Sequence, residues 1–151
     1  MGRVTPGMPE PESARTLLGF DHGEKRIGVA VGQQLTHTAS SLTTLAARHG
    51  QPDWQQVACL IEEWQPHALV VGLPLRSDGS KSTTTEAAER FARRLEGRYH
   101  LPVYLMDERL TSVTAEALLG QAGRPRDKAA IDALAARIIL QHWLDSQGDS
   151  P

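Results

Sequence analysis

The sequence predicts a single α/β domain built around a five-stranded mixed sheet that is flanked by helices. Two apolar runs near the start, residues 16–21 and 26–32, follow each other closely. So short a connection favours a hairpin and antiparallel pairing. Farther along, short apolar runs alternate with patterns of helical period, which is typical of parallel strands covered by helices. The length of 151 residues suits one domain with its own core.

The first half of the chain supplies a third strand, a helix and a buried strand. Residues 36–45 are rich in Thr and Ser and predict an edge-like strand, so strands one to three are expected to be antiparallel. Pro52 and Asp53 predict a helix start because an Asp side chain can cap the first turn. Pro66 ends this helix. Residues 67–73 (HALVVGL) predict a central strand that is buried on both faces.

The second half continues the alternation of helices and strands. Thr83 and Glu86 have the spacing of a capping box and predict a helix through about Tyr99. The remaining predicted elements are a strand over 101–106, a helix over 111–119, a loop over 121–127 and a last helix over about 128–145.

Composition and charge exclude several classes of protein. The formal net charge is -2, so any nucleic-acid binding must use a local basic surface. One cysteine, Cys59, leaves no internal disulfide and fits a reducing compartment. Residues 1–15 contain three prolines and no apolar signal-peptide core, so we expect a flexible tail before a single domain over 16–146. No apolar run is long enough to span a membrane, and we expect a cytoplasmic protein.

Acidic residues stand where predicted strands end and where the last helix begins. Asp21 ends the first strand, Asp107 and Glu108 follow the fifth, and Asp132 lies near the start of the last helix. Carboxylates brought together from separate elements repel one another unless a cation binds them, and oxygen ligands suit Mg²⁺ or Mn²⁺. Such a cluster is suited to the attack of water on a phosphodiester. Taken singly, each acid also fits a turn, a surface ion pair or a first-turn helix position.

Basic residues fall mainly in the predicted turns and loops, where they are expected to bind phosphates near the acids. His22 points to the opposite side of the strand from Asp21 and is interpreted as structural. The candidate nucleic-acid-binding residues are Lys25, Arg26, Arg76, Lys81, Arg109, Arg124, Arg126 and Lys128.

Four segments together resemble one family. They are residues 19–32 (GFDHGEKRIGVAVG), 70–79 (VVGLPLRSDG), 106–112 (MDERLTS) and 131–140 (IDALAARIIL). Their order and spacing resemble the YqgF-type proteins, a family described as pre-16S rRNA nucleases and as Holliday junction resolvase-like proteins. The resemblance extends from about residue 16 to residue 144.

The resemblance implies an RNase H-like fold and a catalytic site that uses Mg²⁺ or Mn²⁺. Asp21 matches the family's first-strand acid, Glu108 the second and Asp132 the last-helix acid. Which of Asp107 and Glu108 is the direct metal ligand stays open, because consecutive strand-end residues point opposite ways. The implied role is nuclease trimming of the 5′ end of precursor 16S ribosomal RNA, with that RNA or the pre-ribosomal small subunit as the partner.

The sequence departs from the family pattern in two places and leaves other functions open. Ala130 stands where members often have a basic residue, which Lys128 can replace, and a proline common near Ser41 is absent. The alternatives are cleavage of branched DNA junctions, which requires a stable dimer, and RNA binding without cleavage in ribosome assembly. A phosphate-binding ATPase needs two such domains, and the chain has room for one. Nothing predicts a long dimerisation helix, so we expect a monomer or a weak homodimer.

Overall fold

A computed structural model describes residues 15–108 and 128–147. The helix over 111–119 and the loop over 121–127 lie outside these residues, and so does the predicted tail except for Arg15. The strands are β1 (Thr16–Asp21), β2 (Arg26–Gln33), β3 (Thr38–Arg48), β4 (Gln51–Pro52), β5 (Ala68–Leu73) and β6 (Val103–Asp107). The described helices are α1 (Trp54–Trp64), α2 (Thr83–Tyr99) and α3 (Lys128–Gln147).

The sheet has the strand order β4-β3-β2-β1-β5-β6 and mixes both pairing directions. Strands β1, β2 and β3 pair antiparallel, as the short connections predict, whereas β5 pairs parallel with β1 and β6 parallel with β5. The carboxyl ends of β1, β5 and β6 therefore meet at one edge of the sheet. Sites in open α/β sheets form outside such strand ends.

The prediction of five strands is wrong, because β4 is a sixth. The chain turns back at His49 and Gly50, which both have positive φ (54° and 80°), so that β4 pairs with the end of β3. A two-residue turn of this kind forms a tight hairpin. Pro52, which the sequence places at a helix start, instead lies on the sheet edge, where a missing N–H does no harm.

Two of the helices begin at well-defined N-caps. Asp53 caps α1, its side chain accepting a hydrogen bond from the Gln55 backbone N–H, as expected from the sequence. The capping box of α2 is formed by Ser82 and Thr85, one residue before the predicted pair. Thr85 is fully buried and also donates a hydrogen bond to the Pro74 carbonyl. That bond ties the start of α2 to the end of β5, which favours the earlier cap.

The helices divide between the two faces of the sheet. Leu18 and Phe20 of β1 pack into the core beneath α1 and α2, whereas Leu17 packs with α3. This is the alternation that a strand imposes on successive side chains. We call the side of the sheet covered by α3 the α3 face. No helix in the described ranges has the length and apolarity needed to cross a membrane.

Close contact between β2 and α3 fixes the position of the last helix. A Cβ atom at Gly28 would overlap the backbone carbonyl oxygen of Asp132, so only glycine allows this approach. Thr44 on β3 donates a hydrogen bond to the Ala129 carbonyl (2.8 Å) and Ser41 to the Ala133 carbonyl (3.2 Å). These contacts hold the first turns of α3, and with them Asp132, over the sheet.

Candidate active site on the α3 face

Three of the predicted acids lie on the α3 face. Asp21 is the last residue of β1 and pairs with Gly28, the residue against which the Asp132 backbone packs. Glu108 follows β6, and its N–H donates a hydrogen bond to the Leu73 carbonyl at the end of β5 (3.1 Å). Three segments far apart in the sequence thus bring their acids to one edge of the sheet.

Asp21 and Glu108 form a buried carboxyl pair. Burial raises the pKa of Asp21 to about 7; the hydrogen bond with Glu108 opposes this rise and the charge of Asp132 adds to it. Burial raises the pKa of Glu108 to about 9, with the charge of Asp21, their hydrogen bond and the charge of Asp107 adding to it. Because the pKa of Glu108 is raised above that of Asp21, at pH values between the two Glu108 keeps its proton and donates the hydrogen bond to the Asp21 carboxylate.

A glycine makes room for Glu108 next to Asp21. A Cβ at Gly72 of β5 would lie 2.8 Å from Glu108 Oε1 and 2.5 Å from Ile139 Cδ1. Asp107 is exposed, and the alternation along β6 points its side chain to the other side of the sheet. Glu108, not Asp107, therefore contacts Asp21, and the choice of Glu108 as the direct metal ligand stays a prediction.

Asp132 makes an ion pair instead of joining this carboxyl pair. Its Oδ2 accepts a hydrogen bond from Arg26 Nε at 2.7 Å, and the side chains are 37% and 22% exposed for Arg26 and Asp132 respectively. Arg26 and Gly28 lie on the α3 face of β2, two residues apart. The charge of Asp132 still acts on Asp21. The three acids are therefore close, but Asp21 and Glu108 bond to each other whereas Asp132 bonds to Arg26.

The chemistry of these side chains fits a hard divalent cation, although the arrangement is not a ready three-ligand site. Across residues 15–108 and 128–147, no three His, Cys, Asp or Glu side chains are grouped so that they could hold a metal ion. Asp21 and Glu108 offer oxygen ligands whose shared proton a cation would replace. Arg26 engages Oδ2 of Asp132, so Asp132 would offer both of its oxygens to a cation only after leaving Arg26.

The predicted basic residues are placed unequally with respect to the acids. Lys25 is exposed in the turn after β1, and Lys128 is exposed one helical turn before Asp132. Arg76 is exposed in the loop after β5 and approaches the Ser80 hydroxyl (3.4 Å). Lys81 pairs with Glu89 of α2 (2.9 Å) on the opposite face of the sheet. Arg109, Arg124 and Arg126 lie outside the described residues.

His22 is a structural residue, as the strand alternation predicts. It is 8% exposed, packs against Phe91 at 4.8 Å between ring centroids, and its Nε2 lies 2.9 Å from the Gly50 carbonyl. Burial lowers the pKa of His22, and the charges of Arg90 and Arg94 add to that effect. The ring therefore holds the β3–β4 turn against β1, on the side of the sheet away from Asp21.

Sequence reasoning missed the partners of the acids, though not the acids themselves. Arg26, which the sequence predicts to bind phosphate, contacts Asp132, a residue 106 positions away. In the sequence, Gly28 and Gly72 stand out only as members of apolar strand segments. Their positions opposite α3 and Glu108 carry a weak signal, since glycine inside a strand often marks a close approach of another backbone.

The carboxyl pair predicts that the metal-free protein loses stability as pH rises from 7 to 9. Both pKa values are raised on folding, so the folded state binds more protons than the unfolded state. The free energy of unfolding then falls, by about 1.4 kcal/mol per pH unit for each extra bound proton. His22, whose pKa is lowered on folding, is neutral in the folded state and mostly neutral in the unfolded state above pH 7, so it opposes the decline only slightly. Urea unfolding in EDTA at pH 7 and pH 9 measures the effect.

Glu108→Gln provides the comparison for this pH experiment, because glutamine keeps the shape of the side chain and cannot ionise. The variant should lose most of the pH dependence between 7 and 9. An equal decline in both proteins would show that the carboxyl pair is not its source.

The mixed sheet with helices on both faces is a fold that this chain shares with two solved structures. Thermus thermophilus RuvC in complex with a Holliday junction substrate has a similar fold, with a TM-score of 0.50 at 18% identity, covering 88% of this chain and 95% of that one. The fowlpox virus resolvase in complex with Holliday junction DNA gives a TM-score of 0.56 at 11% identity, covering 89% and 99%. At these identities the likeness establishes the fold alone.

The chain belongs to the RuvX family. The family model, described as "RuvX: Holliday junction resolvase", matches residues 15–146. A protein of Pseudomonas fluorescens named "Putative pre-16S rRNA nuclease" is 57% identical over 136 residues, covering 87% of this chain and 93% of that protein. A protein of the same name from Yersinia pestis is 52% identical over 135 residues, covering 88% and 96%. The resemblance found in the four sequence segments is thereby confirmed.

Proposed function

We propose that residues 16–146 form a divalent-metal-dependent nuclease that trims the 5′ end of precursor 16S ribosomal RNA in the cytoplasm. The observation that carries this proposal is the buried Asp21–Glu108 pair with Asp132 beside it on the α3 face. Buried acids whose pKa values are raised on folding are costly to stability and are typical of functional sites. The names of the Pseudomonas and Yersinia relatives supply the substrate in this proposal.

The three acids are assigned as the ligands of Mg²⁺ or Mn²⁺. Asp21, at the centre, would be the ligand shared by two ions, and Glu108 and Asp132 would each hold one of them. The bound metal supplies a water of lowered pKa as the nucleophile and stabilises charge on the leaving oxygen. Before metal binds, Glu108 must give up the proton that it donates to Asp21. Metal affinity should therefore increase with pH.

The exposed basic residues near the carboxyl ends of the strands bind the nucleic-acid backbone in this proposal. Lys25 is exposed in the turn after β1, Arg76 in the loop after β5 and Lys128 at the start of α3. Phosphate contacts from such residues set the position of the strand without reading its sequence. With a net charge of -2, this local surface must supply the attraction that the whole chain lacks.

The second candidate keeps the fold and the metals but cuts four-way DNA junctions. It is favoured by the description of the family model and by two structural neighbours that hold junction DNA. A resolvase must place two sites symmetrically, so this alternative requires a dimer. A third candidate, RNA binding without cleavage, leaves the buried acids unexplained, because clustered negative charge repels phosphate.

Cleavage of two substrates side by side tests the proposal. A 5′-extended precursor 16S fragment and a synthetic four-way DNA junction are incubated with the full chain in Mn²⁺ or in EDTA. We expect cutting of the RNA that requires metal and leaves the junction intact. Symmetric metal-dependent cutting of the junction alone would move the protein to the resolvase class. Binding of the RNA without cutting in either condition would favour an assembly factor.

A further inference from the structure

A three-ligand metal site would need Asp132 in addition to the Asp21–Glu108 pair. In the structure Asp132 is instead paired with Arg26. Arg26 Nε and Asp132 Oδ2 are 2.7 Å apart, a short charge-assisted hydrogen bond. The backbone cannot move Asp132 toward Asp21, since the Asp132 carbonyl already rests against Gly28. While Arg26 Nε holds Oδ2, only Oδ1 of Asp132 is left for a metal ion, so ligation by the whole carboxylate requires the side chain to turn away from the guanidinium group.

The position of Arg26 also suits contact with substrate. Its side chain is 37% exposed, so its outer nitrogens remain accessible while Nε holds Asp132. A guanidinium group matches a phosphate as well as it matches a carboxylate. A phosphodiester that reaches the α3 face near Asp21 would thus compete with Asp132 for the same cation.

We propose that Arg26 is a positioning residue that holds Asp132 as an internal counter-ion and releases it to the metal when substrate phosphate binds Arg26. The exchange moves ions only: Arg26 passes from Asp132 to phosphate, and Asp132 passes from Arg26 to the metal. This inference rests on the proposed metal-dependent function and adds how its third ligand is controlled. Binding of metal and substrate is then mutually favourable, as linkage requires.

A double-mutant cycle with Mn²⁺ alone tests the first half of the exchange. Mn²⁺ affinity is measured by calorimetry, without nucleic acid, for wild type, Arg26→Gln, Asp132→Asn and the double variant. Asp132→Asn should weaken binding less than about threefold in wild type, where Arg26 occupies the acid, but tenfold or more in the Arg26→Gln background, within the usual range of coupling energies. If the charge of Arg26 acts on the metal only through space, Asp132→Asn should change Mn²⁺ affinity by the same factor in both backgrounds.

A second cycle with the precursor RNA fragment in EDTA tests the other half, because no cleavage or metal binding contributes. Asp132→Asn breaks the ion pair and leaves Arg26 available to phosphate, so it should increase RNA affinity. The increase should be smaller in the Arg26→Gln background, which has no guanidinium group to release. Arg26→Lys keeps a cation that reaches both partners and should restore part of the coupling. Arg48→Gln removes an exposed charge from β3 and should show no coupling to Asp132→Asn. Circular dichroism and urea unfolding confirm that each variant is folded.

The outcomes separate this inference from the proposed function. Mn²⁺ binding that depends on Asp21 but shows the same Asp132→Asn effect in both backgrounds would overturn the inference alone. If neither wild type nor Arg26→Gln binds Mn²⁺ in an Asp21-dependent way, the metal site and the inference fall together. Coupling in both cycles, absent with Arg48→Gln, would establish the exchange.

Discussion

Asp21→Asn is expected to lower the cleavage rate about a thousandfold and to make the metal-free protein more stable. Asp21 is the central ligand of the proposed site, and metal stabilisation worth several kcal/mol corresponds to roughly that factor in rate. Asparagine removes the charge whose burial raises the pKa of this group and still accepts the hydrogen bond from Glu108. At pH 8 we expect a gain of about 1 kcal/mol or more in the free energy of unfolding. Cleavage assays and urea unfolding in EDTA measure both effects.

Asp53→Asn is the matched control for this variant. Asp53 caps α1 at the opposite side of the sheet from α3, and asparagine caps a helix as well as aspartate does. The control should keep both activity and stability. Activity in Asp21→Asn close to that of wild type would contradict the assignment of the metal site, whereas a loss of stability would show that Asp21 has a structural role.

Gly28→Ala is expected to cost about 3 kcal/mol of stability, at the upper end of the usual cost of overpacking. The added Cβ would overlap the Asp132 carbonyl oxygen. Both neighbours are backbone in regular elements, so neither can move away cheaply. For a domain of this size the change corresponds to a fall in Tm of about 6–12 °C. Moving α3 away from β2 also displaces Asp132, so cleavage should decline in the same variant.

Gly97→Ala is the matched control on α2. A Cβ there meets no atom within 4 Å, and the residue is exposed within the helix. Alanine should therefore raise stability by about 0.5 kcal/mol, because it loses less backbone entropy than glycine on folding. Thermal unfolding of both variants provides the measurement. Equal effects of the two substitutions would mean that the contact of α3 with β2 is not the reason for Gly28.

The elements that local patterns specify were predictable. The apolar runs of β1 and β2 lie close together in sequence, and their separation alone predicts the antiparallel hairpin that forms. The Asp53 cap and the last helix likewise follow from local signals. The acids at Asp21, Glu108 and Asp132 could be named for the same reason, because each stands at the end or start of an element. Residues 109–127 lie outside the described structure, so the predicted loop there stays a prediction.

The short strand β4 shows where local patterns mislead. Gln51 and Pro52 have neither the length nor the composition of a strand, and they form one only because the turn at His49 and Gly50 brings them beside β3. The shift of the α2 cap from Thr83 to Ser82 has a similar cause. Thr85 donates a hydrogen bond to the Pro74 carbonyl, and the helical pattern of the sequence does not predict this contact.

The sequence by itself determined the α/β class and the family, and it singled out the candidate acids, since these depend on periodicity, spacing and residue type. The tertiary structure decided which acids touch. Strand alternation and the space left by Gly72 place Glu108 against Asp21, while Asp107 points away. Arg26 and Asp132 are 106 residues apart, so only the packing of α3 on β2 could make them partners. Side chains pair when they are close in space, and the separation of two residues along the chain does not give that distance.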